Sequence, residues 1–201
     1  YKFYYVQVDS KGKIIDKAVQ LADWDILGEK WHYSGIDNDL AGNSYIFYRY
    51  RNTGLFPLDH ALFYAKIGPA RNVLVHGRIK NRPHADHPAV AAADPNLFLI
   101  YSDDRGAGRG IYDLKNVDDD IRVDQGGVNA DYPTVASDQT HNTYIAWSDE
   151  REGNQEIYLS HLNEENKFVE SNVRITETTG NSTLPDIDMD GHSNYYLVWQ
   201  D

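Results

Sequence analysis

Tyr132-Pro133-Thr134-Val135-Ala136-Ser137-Asp138, a polar tip at 139–142, Thr143-Tyr144-Ile145-Ala146-Trp147-Ser148-Asp149-Glu150-Arg151 and, after Gly153-Asn154, Glu156-Ile157-Tyr158-Leu159 read as strand, turn, strand, turn, strand. Aromatic and β-branched residues fill the strands, and Asp, Asn and Gly fill the turns, as each residue's backbone preference dictates. With Pro133 as anchor, Val135, Asp138, Asn142, Tyr144 and Trp147 follow at offsets of 2, 5, 9, 11 and 14 residues. From Pro185 the same offsets reach Ile187, Asp190, Asn194, Tyr196 and Trp199, and from Ser34 they reach Ile36, Asp39, Asn43, Tyr45 and Tyr48. A further copy starts at Pro88, with Val90 in step and Asp94 and Tyr101 each displaced by one residue. The anchors lie 54, 45 and 52 residues apart, close to the roughly 40 to 50 residues of a propeller blade.

The downstream half recurs as well. Tyr101-Ser102-Asp103-Asp104-Arg105 before Gly110-Ile111-Tyr112 matches Trp147 to Arg151 before Glu156-Ile157-Tyr158. A fourth strand is expected over 120–123 and 172–176, with 13–21 as the counterpart near the start. The fold class predicted is all-β: a β-propeller of four-stranded blades, about four blades' worth, in one domain over 1–201. Its parts are a half blade at 1–33, blades at 34–87, 88–132 and 133–184, and a half blade at 185–201. The first half blade supplies strands three and four and the last supplies strands one and two. The two are complementary, so the chain either closes a four-blade ring or is a slice of a larger propeller.

Composition narrows the function. The chain of 201 residues is 41% hydrophobic and 25% charged, which suits a globular domain. A formal charge of -12 repels phosphate backbones and anionic lipid, so no nucleic-acid partner is expected. No apolar run approaches the roughly 20 residues of a membrane span, and residues 1–5 carry neither an initiator Met nor a secretory signal. The numbering is therefore expected to begin inside a mature or larger chain. Without cysteine there are no disulfides, thiolate metal sites or Cys nucleophiles.

Tyr48, Tyr101, Trp147 and Trp199 share one register, where a flat ring fills the gap between facing sheets, so all four are expected in the core. Asp103/Arg105 and Asp149/Arg151 also recur at one register and are read as loop-ordering bridges, because a structural residue repeats with its unit whereas a catalytic one does not. The motif from Pro133 to Tyr158 resembles the blade repeat of sialidase-like propellers and of related repeats in exported or surface proteins. That resemblance implies a propeller in an extracellular or cell-surface setting. It carries no sialidase catalysis, because the arginine triad, the Tyr with its Glu partner and the acid Asp of that family have no matching positions, and no Ser-x-Asp-x-Gly-x-Thr-Trp box occurs.

Candidate ligand-binding residues are Trp24 and Trp31, placed in a longer connection outside the repeat register and suited to stacking on sugars, together with Arg49 and Arg109. With Arg51 and Arg82 these arginines would hold a carboxylate on one rim. Candidate metal ligands are Asp186, Asp188 and Asp190, in an Asp-x-Asp-x-Asp-Gly run, and Asp37 and Asp39, in an oxygen-rich turn at the matching register. Calcium is the ion such oxygen ligands would take, although alternation along a strand alone puts carboxylates on one face. His84-Ala85-Asp86-His87 offers two imidazoles and a carboxylate for a transition metal and is placed in a linker. Residues 118–120 are read as a solvated acidic turn. No phosphate loop, nucleophile elbow or metal-binding helix motif is present. The function expected is a non-catalytic exported or surface module binding glycan or protein, within a larger chain or assembly. The alternatives are a sialidase-type glycoside hydrolase fragment and a structural repeat of a surface layer or filament.

Overall fold

The computed structural model describes all residues except 1, 24–29, 52–59, 80–81, 106–107, 117–118, 139, 166, 191 and 193. Among them the chain is all-β, with sixteen strands. β1 (Lys2–Tyr5) and β2 (Val19–Asp23) form a hairpin. Three antiparallel four-stranded sheets follow. Sheet A holds β3 (Lys30–Asn38), β4 (Ser44–Arg51), β5 (His60–Ile67) and β6 (Val73–Ile79). Sheet B holds β7 (Ala85–Ala93), β8 (Asn96–Asp104), β9 (Arg109–Asn116) and β10 (Asp119–Arg122). Sheet C holds β11 (Asp131–Ser137), β12 (Thr143–Asp149), β13 (Glu156–Leu162) and β14 (Phe168–Arg174). A last hairpin pairs β15 (Thr183–Met189) with β16 (Tyr195–Gln200). Neighbours in each sheet are neighbours in sequence.

Between the sheets lie four apolar layers. Tyr5 and Leu21 of the first hairpin cover Ile46, Tyr48 and Phe63 of sheet A. Phe47 and Leu62 then meet Val90, Tyr101 and Tyr112 of sheet B. Phe98, Ile100 and Ile111 meet Val135, Trp147 and Tyr158 of sheet C. Ala146, Ile157 and Leu159 meet Ile187 and Leu197 of the last hairpin. The first strands β3, β7, β11 and β15 stand side by side around a cavity of about 530 Å³. Gly35 makes one of these approaches possible, since a Cβ there would lie 2.9 Å from the Val90 backbone nitrogen.

The repeat offsets mark real positions. Three of the four first hairpins turn on an aspartate: Asp39, Asp138 and Asp190 accept the backbone N–H and the side-chain amide of Asn43, Asn142 and Asn194 respectively, while the sheet B hairpin turns at Asp94-Pro95. Arg105 and Arg151 bridge Asp103 and Asp149 at 2.9 and 2.6 Å and lie over the rings of Tyr112 and Tyr158.

Several expectations need correction. Tyr48, Tyr101 and Trp147 are buried, but Trp199 is 42% exposed, and among the described residues β16 pairs with β15 alone. The two terminal hairpins form two separate two-stranded sheets. Trp31 lies within β3, opposite Tyr50, not in a connection. Asp86 and His87 lie within β7, not in a linker. Asp119 and Asp120 belong to β10, and Asp120 is drawn inward by Arg82, Arg105 and the Tyr101 hydroxyl. Each first strand begins two to four residues ahead of its anchor, because the anchor follows a bulge that the spacing alone does not show.

Candidate functional site

In β7, β11 and β15 the residue before the anchor proline has a left-handed backbone, with φ of 46° at His87, 53° at Tyr132 and 51° at Leu184. Residues other than glycine adopt this conformation seldom and at a cost. Pairing slips at the same places, between Asp86 and Ala89, between Asp131 and Thr134, and between Thr183 and Asp186. Two residues there oppose one, the registered Tyr101, Trp147 or Trp199, so each is a β-bulge, which bends the strand and re-aims its side chains.

The bulges bring acids and bases of different sheets together. Arg49 on β4 donates to Asp86 Oδ1 at 2.7 Å, and both residues are buried. Arg109, at the start of β9, has Nη1 2.9 Å from Asp131 Oδ2 and 3.9 Å from Asp86 Oδ2, so one guanidinium stands between the two carboxylates. His87 donates from Nδ1 to Asp131 Oδ1 at 2.6 Å, which places a proton on that nitrogen. Its ring lies 4.3 Å from the ring of Tyr132. Burial acts to raise the pKa of Asp131, but His87, Ser102 and Arg109 together outweigh it and hold the carboxyl below its ordinary value.

Beside this cluster a pocket of about 210 Å³ adjoins the central cavity, lined by His87, Tyr132 and Leu184 with the anchor prolines. Arg109, Asp131 and Tyr132 remain partly exposed. Chemically the pocket offers an aromatic face, and a carboxylate and a forked donor adjoin it through the His87–Asp131–Arg109 contacts, the equipment for a polar ligand with an apolar face.

Of the residues singled out from sequence, Arg49 and Arg109 meet here. Arg82 does not; it binds Asp120 at 2.7 Å and the Tyr101 hydroxyl at 2.8 Å. Trp24 lies outside the described residues, as do the side chains of Trp31 and Arg51. Asp37 accepts the backbone N–H of Ala92 on the neighbouring sheet at 2.7 Å, Asp186 accepts Thr134 Oγ1 at 3.2 Å, and Asp188 accepts the N–H of Met189 at 2.8 Å. Asp39 and Asp190 close their turns. Among the described residues no three His, Asp or Glu side chains gather as a metal site. His84 is exposed. Sequence reasoning missed Asp131, Ser102 and Tyr132. The available signal was the match of Asp86-His87-Pro88 with Asp131-Tyr132-Pro133 two residues ahead of equivalent anchors.

No family model matches the chain, and no curated protein does. Among solved structures it is similar to a mutant of the GH43 protein BlXynB from Bacillus licheniformis, at 9% identity and a TM-score of 0.50, over 83% of this chain and 36% of that one. A structure from the GH130 family, whose members include mannoside phosphorylases and glycoside hydrolases that target β-1,2-mannosidic linkages in Candida mannan, aligns at 8% identity and a TM-score of 0.46, over 84% of this chain and 59% of that one. A putative glycosidase from Bacteroides thetaiotaomicron aligns at 9% identity and 0.46, over 84% and 61%. The chain thus spans 36% to 61% of the length of these proteins. The first likeness, with the sheets set side by side around one cavity, makes the fold propeller-type; at such identity it speaks to fold alone.

Proposed function

We propose that the chain is a non-catalytic propeller module of an exported or cell-surface protein that binds a glycan at the pocket lined by Tyr132 and His87, beside the Arg109–Asp131 couple. The observation that carries this reading is a partly exposed Arg109–Asp131 couple joined through His87 to a pocket with an aromatic wall. Sugars present hydroxyls to such donors and acceptors and a C–H face to such rings. The ion pairs on Asp86 and the lowered pKa of Asp131 favour binding over acid catalysis, since a general acid needs its pKa raised towards the working pH. Calcium belongs to the proposal as a stiffener of the segments carrying Asp37, Asp39, Asp186, Asp188 and Asp190; a melting temperature unmoved by a chelator removes it.

A glycan array followed by calorimetry tests the binding. Arg109→Ala and Tyr132→Ala should each weaken the best ligand at least about tenfold, the equivalent of one lost charged or stacking contact. Failure of the intact chain to bind any glycan sinks the reading.

A hydrolase is the second reading, favoured by two carboxylates at matched register either side of one guanidinium. Turnover of fluorogenic glycosides, sialosides included, that Asp131→Asn abolishes would replace the first reading with this one.

A further inference from the structure

The arginines nearest the pocket already hold carboxylates of the chain itself. Arg49, buried on β4, has Nη1 2.7 Å from Asp86 Oδ1. Arg109 Nη1 stands 2.9 Å from Asp131 Oδ2 and 3.9 Å from Asp86 Oδ2. Arg82 is taken up by Asp120 at 2.7 Å. Arg109 is partly exposed, but its charge sits between two carboxylates, so it presents N–H donors to a ligand with little net positive field. A sugar hydroxyl is served by such donors. A ligand carboxylate is not, because only a net positive field offsets the loss of its hydration. Pulling either guanidinium over to the ligand would leave Asp86 or Asp131 as an unpaired, largely buried charge, and breaking a buried pair in that way is strongly unfavourable.

The surroundings add negative charge. The pocket adjoins the central cavity, whose lining includes Asp37, Asp186 and Asp188. Asp37 accepts the backbone N–H groups of Asn38 and Ala92, both at 2.7 Å. Asp186 accepts the Thr134 hydroxyl at 3.2 Å, and Asp188 accepts the Met189 N–H at 2.8 Å. Such neutral donors orient a carboxylate without cancelling its charge, unlike the guanidinium partners of Asp86 and Asp131. Asp37 is the firmest of the three, since it stands on sheet A and is tied to sheet B, between two complete sheets. The chain as a whole carries a formal charge of -12. A concavity walled by protein and lined by one sign of charge focuses that field on whatever enters it.

We propose that the pocket selects by charge, taking neutral sugar residues and rejecting those that carry a carboxylate, uronates and sialates included. This rests on the reading of the chain as a glycan-binding module and names the class of sugar it takes. It reverses the carboxylate clamp that grouping Arg49, Arg82 and Arg109 by sequence implies, because each of those arginines is committed to an aspartate of the chain. The discrimination is by repulsion as much as by fit: a carboxylated sugar meets the same Tyr132 ring and the same hydrogen-bonding groups, but against the charge of the cavity lining.

Calorimetry on matched sugars at low and high salt tests the selection. The pairs are lactose with sialyllactose, galacto-oligosaccharides with oligogalacturonides of the same length, and the best neutral ligand of the array with its uronate form. Wherever a pair binds, the neutral member should bind at least about tenfold more tightly at low salt. Added salt should narrow that gap, since screening weakens the repulsion and leaves hydroxyl contacts in place. Asp37→Asn keeps an acceptor oxygen for Ala92 and removes one charge, so it should narrow the gap as well. Near-UV circular dichroism checks that this variant is folded, and the salt series on the intact chain decides the matter if it is not. A carboxylated sugar that binds as tightly as its neutral counterpart, or a gap that neither salt nor folded Asp37→Asn narrows, overturns the charge selection and leaves glycan binding standing. Binding of no sugar of either kind removes the module reading and this proposal together.

Discussion

Sheet C and the last hairpin carry the same residues at the same steps and differ in what surrounds them. Trp147 donates from its indole nitrogen to Asp149 at 3.1 Å, and Trp199 donates to Asp201 at the same 3.1 Å. Asp138 and Asp190 close their turns by the same bonds. Yet Trp147 and Asp149 are fully buried, whereas the rings of β16 and the carboxylate of Asp201 after it meet solvent. Local chemistry is therefore written into each repeat, while burial is supplied by the next strand and the next sheet.

The largest expected break between the two regions is at the paired tryptophans. Trp147→Ala should cost about 3–5 kcal/mol in denaturant unfolding, the usual loss for a large buried ring. Trp199→Ala at low protein concentration should cost under about 1 kcal/mol. Equal losses would mean that β16 is covered in solution by something the isolated chain does not show.

Next comes Glu156, which has no counterpart in the last hairpin because that hairpin lacks a third strand. Its buried carboxylate accepts from Thr176 Oγ1, from the Thr178 N–H at 3.0 Å, from Asn154 Nδ2 at 3.0 Å and from Arg174 at 2.9 Å. Burial pushes its pKa up, but these donors prevail and bring it from 4.5 down to about 2. A carboxyl lowered on folding stabilises the native state above its unfolded pKa, and that contribution fades as pH falls from about 4.5 towards 2. Glu156→Gln should lower stability by about 2 kcal/mol at neutral pH, as a buried network losing its charged acceptor does. Its acid-unfolding curve should also be shallower across that window, measured by fluorescence.

The smallest effect should be shared by both regions. Asp138→Ala and Asp190→Ala each remove a turn that is closed locally, so amide exchange at Asn142 and Asn194 should accelerate while the melting temperature moves by only a few degrees. A global loss from either change would show that the turns hold sheets together, against the local bonding seen here.

Much of this was legible beforehand. The Pro-x-Val spacing located the first strands, the Asp-to-Asn step located the turns, and the Asp-x-Arg pairs located the loop bridges. Each works through neighbours a few residues away, so spacing is enough to reveal it. The Asp86, Arg109 and Asp131 cluster was not legible as a whole, because its members come from three strands of two sheets and are aimed by bulges. A bulge leaves only a faint trace in sequence, here the residue ahead of each proline. Arg82 illustrates the same limit: its type matched the rim set, but its place in the connection between β6 and β7 put it beside Asp120.

The sequence by itself determined the repeating unit, its turns and the ring that each copy carries, since these depend on the two-residue alternation of strands and on short-range hydrogen bonds. Only the tertiary structure decided which rings are covered and which charges meet. Both depend on the distance between sheets that lie tens of residues apart along the chain, and no local pattern encodes that distance.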